Sequence, residues 1–176
     1  MRPAVFLDRD GVINRALVRD GRPYAPLRLE DFELIAEAIS ALQALKRAGY
    51  LLVVATNQPE VARGKLPITV LEAMHARMRA AVPLDAVKVC CEEDGPDCRC
   101  YKPKPGMLLD AAAELGIDLS SSYMIGDRWR DVGAGRAAGC RTIFIDYEYQ
   151  EQRPEAPDAT VGGIAEAAAL ILEGRL

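Results

Sequence analysis

Two carboxylates stand two residues apart in Asp8-Arg9-Asp10-Gly11, directly after the apolar run Val5-Phe6-Leu7. At the end of a buried strand both can face one small volume. Two anions there would repel and take up protons, so a divalent hard cation is the natural neutraliser, and the oxygen donors suit Mg²⁺. One carboxylate is then free to attack phosphorus, while the other protonates the leaving oxygen and later activates water. Thr56-Asn57-Gln58 follows a second apolar run, Leu51 to Ala55, and offers a hydroxyl and amide donors for phosphoryl oxygens; a lone Thr-Asn would otherwise read as a helix cap. Lys102-Pro103-Lys104-Pro105-Gly106 holds two cations in extended backbone just before a helix, where phosphate is bound readily. Gly126-Asp127-Arg128-Trp129-Arg130-Asp131 closes the set, with Asp127 as a further Mg²⁺ ligand and Asp131 placed to orient or cap. Asn57, Gln58, Tyr101 and Arg128 flank these groups and are the expected substrate contacts.

Four of the five cysteines lie within eleven residues: Cys90, Cys91, Cys98 and Cys100. Thiols clustered in a mostly polar stretch read as a metal site when the compartment is reducing. The spacing predicts a structural Zn²⁺ held by Cys90, Cys98 and Cys100, with Glu92, Cys91 or a residue of the intervening loop as the fourth ligand. Such a loop, at about residues 90–100, would pin the rim and so position Lys102. Cys140 reads as a small core hydrophobe. The one histidine, His75, reads as an exposed or half-buried helix residue, and its being alone argues against multi-histidine metal sites and against a Ser-His-Asp triad.

The elements that must carry these groups are legible as alternating strands and helices. Helical spacing of Leu34, Ile35, Ala38, Ile39, Leu42 and Leu45, ended by Gly49, predicts one helix; others are expected over Ile68 to Ala81, Pro105 to Leu115, Asp131 to Ala138 and Ile164 to Leu172. Strands are expected at Val5–Leu7, Leu51–Ala55, Ala86–Val89, Tyr123–Ile125 and, last, Thr142–Ile145, with Asn14 to Leu29 as a polar loop. This alternation predicts an α/β fold, a Rossmann-like three-layer sandwich around a parallel sheet, in which functional loops gather beyond the carboxyl ends of the strands. Each polar cluster falls at such an end.

At 176 residues, half of them hydrophobic, the chain is long enough for one domain spanning 1–176 and too short for a large cap domain besides. The formal charge of −4 offers no general basic field, so nucleic acid is an unexpected partner, and no apolar run is long enough to span a bilayer. A cytoplasmic, monomeric protein acting on a small phosphorylated metabolite is the expectation.

Taken together, Asp8-Arg9-Asp10-Gly11-Val12-Ile13-Asn14, Thr56-Asn57-Gln58, the stretch from Cys98 to Met107 and Gly126-Asp127 resemble the haloacid dehalogenase superfamily of aspartate-nucleophile phosphatases. More closely they look like its heptose bisphosphate phosphatase and histidinol-phosphate phosphatase families. The resemblance spans roughly Val5 to Ile145. It implies that Asp8 is the nucleophile, Asp10 the general acid and base, and Thr56 and Lys102 the phosphoryl stabilisers. Asp8, Asp127 and the backbone carbonyl of Asp10 are then the Mg²⁺ ligands. Two positions depart from the family pattern: Glu92 where a histidine is usual, and Tyr101 where heptose phosphatases carry an arginine. The expected activity is Mg²⁺-dependent hydrolysis of a small phosphomonoester, a sugar phosphate such as heptose 1,7-bisphosphate, through an aspartyl-phosphate. The rival readings are a histidinol-phosphate or nucleotide- or polynucleotide-end phosphatase, and a silent zinc-stapled binding module.

Overall fold

Alternate residues of a strand face opposite sides of a sheet, and in Ala4–Leu7 every one of them is apolar, so this strand must be covered on both faces. The computed structural model, which describes residues 1–176, places it accordingly as β1 at the centre of the sheet. A short antiparallel hairpin follows, β2 (Leu17–Arg19) and β3 (Arg22–Tyr24), then α1 (Ala36–Arg47), β4 (Leu51–Asn57), α2 (Ile68–Ala81) and β5 (Ala86–Cys90). The second half runs α3 (Gly106–Leu115), β6 (Tyr123–Gly126), α4 (Trp129–Ala138), β7 (Arg141–Ile145), β8 (Ala159–Val161) and α5 (Ile164–Leu172).

The six long-range strands form one parallel sheet in the order β5-β4-β1-β6-β7-β8. Val5 and Leu7 point into a core shared with Leu42 and Leu45 of α1, Met74 and Met78 of α2 and Ile171 of α5. Ala4 and Phe6 point the other way, against Met107 and Leu108 of α3 and Ala134 of α4. These are the three layers expected. Burying side chains of this kind supplies about 1.5–3 kcal/mol each.

From β1 the chain winds outward to β4 and β5, then returns to β6 on the other flank of β1 and winds out through β7 and β8. The crevice at the switch point therefore opens between the carboxyl ends of β1 and β6, where Asp8 and Asp127 follow their strands. Two elements correct the sequence reading. The polar loop expected over Asn14 to Leu29 contains the β2–β3 hairpin, turning at Asp20-Gly21, and Thr142–Ile145 is not the last strand, because β8 pairs alongside β7. No helix is long and apolar enough to cross a membrane.

Candidate active site

Asp8 continues β1 by donating its N–H to the carbonyl of Ile125 at 3.0 Å, which fixes its carboxylate at the mouth of the crevice. Lys102 Nζ lies 2.8 Å from Asp8 Oδ1 and 2.6 Å from Asp131 Oδ1, and the lysine is only 1% exposed. Asn57 sets this lysine from across the cleft: its Oδ1 accepts from the Lys102 N–H at 3.0 Å and its Nδ2 donates to the Lys102 carbonyl at 3.1 Å. Both ends of the Asn57 amide are thus spent on backbone, although the residue still lines the cleft. Asp131 does both things expected of it, since its Oδ2 accepts from the backbone N–H of Arg128 at 2.9 Å and caps α4 while its Oδ1 orients Lys102.

Asp8, Asp127 and Asp131 bring carboxylate oxygens within 4.8 Å of one another. With all three carboxylates ionised, one ammonium would leave two negative charges in a buried space, and the acids respond by holding their protons. Burial, then the Asp131 charge, push the Asp8 carboxyl up to about 6 against the opposing pull of Lys102. Burial, then the charges of Asp8 and Asp131, hold Asp127 well above the carboxylate range. Burial works against the Lys102 ammonium, but Asp131 and Asp8 outweigh it and keep its pKa above the ordinary lysine value. Both side-chain oxygens of Asp127 are buried without a hydrogen-bond partner. Orphaned anionic oxygens and a two-charge deficit are what a hard divalent cation satisfies, so these residues fit Mg²⁺. Gly11 makes room for them. Its φ is +86°, and a Cβ added there would sit 2.0 Å from Asp127 Oδ2.

Asp10 is held by its own set of donors. Arg9 Nη2 reaches Asp10 Oδ1 at 2.9 Å and Oδ2 at 3.2 Å, Asn14 Nδ2 reaches Oδ1 at 2.9 Å, and Gln58 Nε2 reaches Oδ2 at 2.9 Å. Arg9 is fully buried under the Phe32 ring, with Nη1 3.2 Å from His75 Nε2. A guanidinium only donates, so His75 Nε2 must be the acceptor, neutral and protonated on Nδ1. Burial, and next the Arg9 charge, lower this histidine to about 4, which fits that state. Sequence reasoning missed the role of Arg9 and of His75. Arg9 stands between two acids, and nothing local shows that residue 75 folds back onto residue 9.

Thr56 is buried, and its Oγ1 accepts from Gln58 Nε2 at 3.0 Å, which links it through Gln58 to Asp10. Gln58, Tyr101 and Arg128 line the cleft of about 890 Å³ together with Asp8, Asp10, Lys102 and Asp127. Arg128 is half-buried and paired with Glu151 at 2.5 Å.

The cysteine loop departs from the sequence expectation. Cys90, Cys98 and Cys100 do converge, but Cys90 and Cys100 are joined by a disulfide, and a disulfide sulfur is no zinc ligand. Cys98 Sγ lies 3.8 Å from Cys90 Sγ and 3.7 Å from Cys100 Sγ. Thiols held this close are as well placed to oxidise as to chelate. Neither proposed fourth ligand joins the group: Glu92 is exposed, and Cys91 packs against the α1/α2 core. Cys140 is buried in the smaller core, as expected.

The HAD-hydrolase-like family model matches residues 99–167. The D-glycero-beta-D-manno-heptose-1,7-bisphosphate 7-phosphatase of Pseudomonas aeruginosa is 41% identical over 150 residues, covering 82% of this chain and 81% of its own. The enzyme of the same name from Escherichia coli K12 is 38% identical over 169 residues, covering 89% and 85%. The crystal structure of D,D-heptose 1,7-bisphosphate phosphatase from B. bronchiseptica, complexed with magnesium and phosphate, superimposes with a TM-score of 0.84 at 28% identity, over 98% of this chain and 99% of that one.

Proposed function

The chain belongs to the heptose-1,7-bisphosphate 7-phosphatase family of the haloacid dehalogenase superfamily, and from that premise we propose that it removes the 7-phosphate of a heptose 1,7-bisphosphate through Asp8. The observation that carries the assignment of Asp8 is its placement beside Lys102 and the orphaned Asp127 at the switch-point crevice. In this reading an Asp8 oxygen forms a bond to phosphorus as the bond from phosphorus to the sugar oxygen breaks, and Asp10 gives its proton to that oxygen. Asp10 then takes a proton from water, whose oxygen attacks the aspartyl-phosphate; inorganic phosphate leaves and Asp8 is restored. Lys102, oriented by Asp131 and Asn57, neutralises the transferring phosphoryl group. Asp8, Asp127 and the Asp10 carbonyl would hold Mg²⁺, which supplies charge neutralisation for both nucleophile and phosphoryl oxygens. Thr56 shares the phosphoryl group with Lys102, and its Oγ1 also accepts from the Gln58 amide that steadies Asp10. The site sits in one domain acting as a monomer in the cytoplasm.

The cysteine loop is read as a zinc staple in the reduced protein. Tetrahedral Zn²⁺ with bonds of about 2.3 Å to sulfur spaces its thiolates about 3.8 Å apart; Cys98 already keeps that spacing from Cys90 and Cys100, and reduction of the Cys90–Cys100 bond frees the other two thiolates to bind. Protein purified under reducing conditions without added metal should contain about one zinc per chain, and less than about half an equivalent would count against the staple.

The phosphatase reading is tested with heptose 1,7-bisphosphate and Mg²⁺. Wild-type protein should release phosphate and become labelled at residue 8 when the reaction is trapped, and Asp8→Asn should do neither. Equal rates for the two proteins would sink the assignment.

A further inference from the structure

Of the cations that line the cleft, Lys102 is committed to Asp8 and Asp131, and four more are neutralised locally: Arg28 by Glu30 and Asp31, Arg63 by Glu60 and Glu93, Lys65 by Glu60, and Arg128 by Glu151. Two are uncommitted. Arg19 lies exposed on the β2–β3 hairpin. Arg130 is half-buried, its guanidinium lies over the rings of Tyr101 at 5.5 Å and Trp129 at 5.0 Å, and its Nε is buried without any acceptor. A buried N–H left unpaired costs free energy, and a fork braced between two rings has already lost most of the motion that binding would freeze. Both features describe a group arranged for a ligand.

The position of Arg130 decides which part of a ligand it can meet. It precedes Asp131 on the first turn of α4, and successive helix residues diverge by about 100°. Asp131 is aimed at Lys102 and the reacting end of the cleft, so Arg130 is aimed to one side, toward Tyr101. A planar fork of donors matches a phosphate dianion better than it matches hydroxyls.

We infer that Arg130, stacked on Tyr101 and Trp129, binds the second phosphate of a sugar bisphosphate and makes this cleft select bisphosphates over monophosphates. The inference rests on the phosphatase reading above and adds the residue that would set its selectivity.

The test compares two sugars that share the phosphate to be removed and differ only in the distal one: heptose 1,7-bisphosphate and heptose 7-phosphate. Its readout is the ratio of kcat/KM for the first to that for the second, with Mg²⁺, in wild type, Arg130→Met and Arg130→Lys. Arg130→Met keeps the aliphatic stem over the rings, and thermal melting checks that each variant is folded. The ratio should fall at least tenfold in Arg130→Met, mainly through KM of the bisphosphate, and recover in part in Arg130→Lys, which restores a charge without the fork. An unchanged ratio in folded, active Arg130→Met overturns this inference and leaves the phosphatase reading standing. If wild type hydrolyses neither sugar, both fall.

Discussion

Replacing Gly11 with alanine tests the metal site without replacing a ligand. The new methyl would begin 2.0 Å from Asp127 Oδ2 and 2.5 Å from its Cγ, far inside the roughly 3.4 Å of ordinary contact, so the carboxylate must move by an ångström or more. The backbone angle of +86° adds about 1–2 kcal/mol for any residue bearing a Cβ. A loss of about 2 kcal/mol lowers the melting temperature of a chain this size by about 4–8 °C, which leaves a folded protein at 25 °C. Function should suffer far more, because Mg²⁺ demands near-ideal geometry at about 2.0–2.1 Å from its ligands. We expect the Mg²⁺ concentration for half-activation to rise at least about tenfold, and kcat at saturating metal to fall about a hundredfold, the penalty for a slightly misplaced reacting group. The assay is phosphate release against Mg²⁺ concentration, with a thermal melt of the same samples. A folded Gly11→Ala protein with the wild-type Mg²⁺ curve would refute the assignment of Asp127 as a ligand.

Three further perturbations probe the groups around it. Lys102→Met leaves Asp8 and Asp131 buried without their counter-ion and should cost about 3–5 kcal/mol in denaturant unfolding; Asp8→Asn in the same chain should recover part of that loss, and simple additivity would show that the pair does not interact. Gln58→Ala frees one Asp10 oxygen and Thr56 together, so kcat should fall about ten- to a hundredfold with KM little changed, the loss expected for a disturbed general acid; a pure KM effect would make Gln58 a substrate contact instead. His75 has its pKa depressed from 6.5 to about 4, so the unfolded chain binds the extra proton first. Its contribution to stability is full above the unfolded value and is lost as pH falls from 6.5 toward 4. Wild type should therefore lose more stability over that interval than His75→Gln, which keeps an acceptor for Arg9 without titrating; parallel pH curves would refute the link.

The strands and helices that carry the chemistry were legible because their signals are local. Leu51 to Ala55 is a continuous apolar run, α1 has a clean helical period, and the polar clusters stand where the apolar runs stop. The β2–β3 hairpin was hidden by its brevity and by arginines and a proline, although Asp20-Gly21 is a hairpin turn signal that could have exposed it. β8 has three residues and gains its identity only from β7 beside it. Within the site, residue types at strand ends pointed to Asp8, Asp127 and Lys102. The partnerships of Arg9 with His75 and of Asn57 with the Lys102 backbone join residues 66 and 45 positions apart, and no spacing rule reaches that far. The cysteines show the opposite limit: their spacing announced a cluster but does not choose between thiolate and disulfide chemistry.

The central place of β1 also bears on how the protein is made. Val5 pairs with Leu52 on one side but with Tyr123 on the other, so during synthesis β1 keeps a bare edge until the long stretch between it and β6 has been made. An apolar edge exposed for that long invites pairing with other nascent chains. Fragments that stop short of β6 should therefore accumulate as aggregates, and gene fusions or split-protein designs based on this scaffold should be cut after β6, keeping β1, β4 and β6 in one piece.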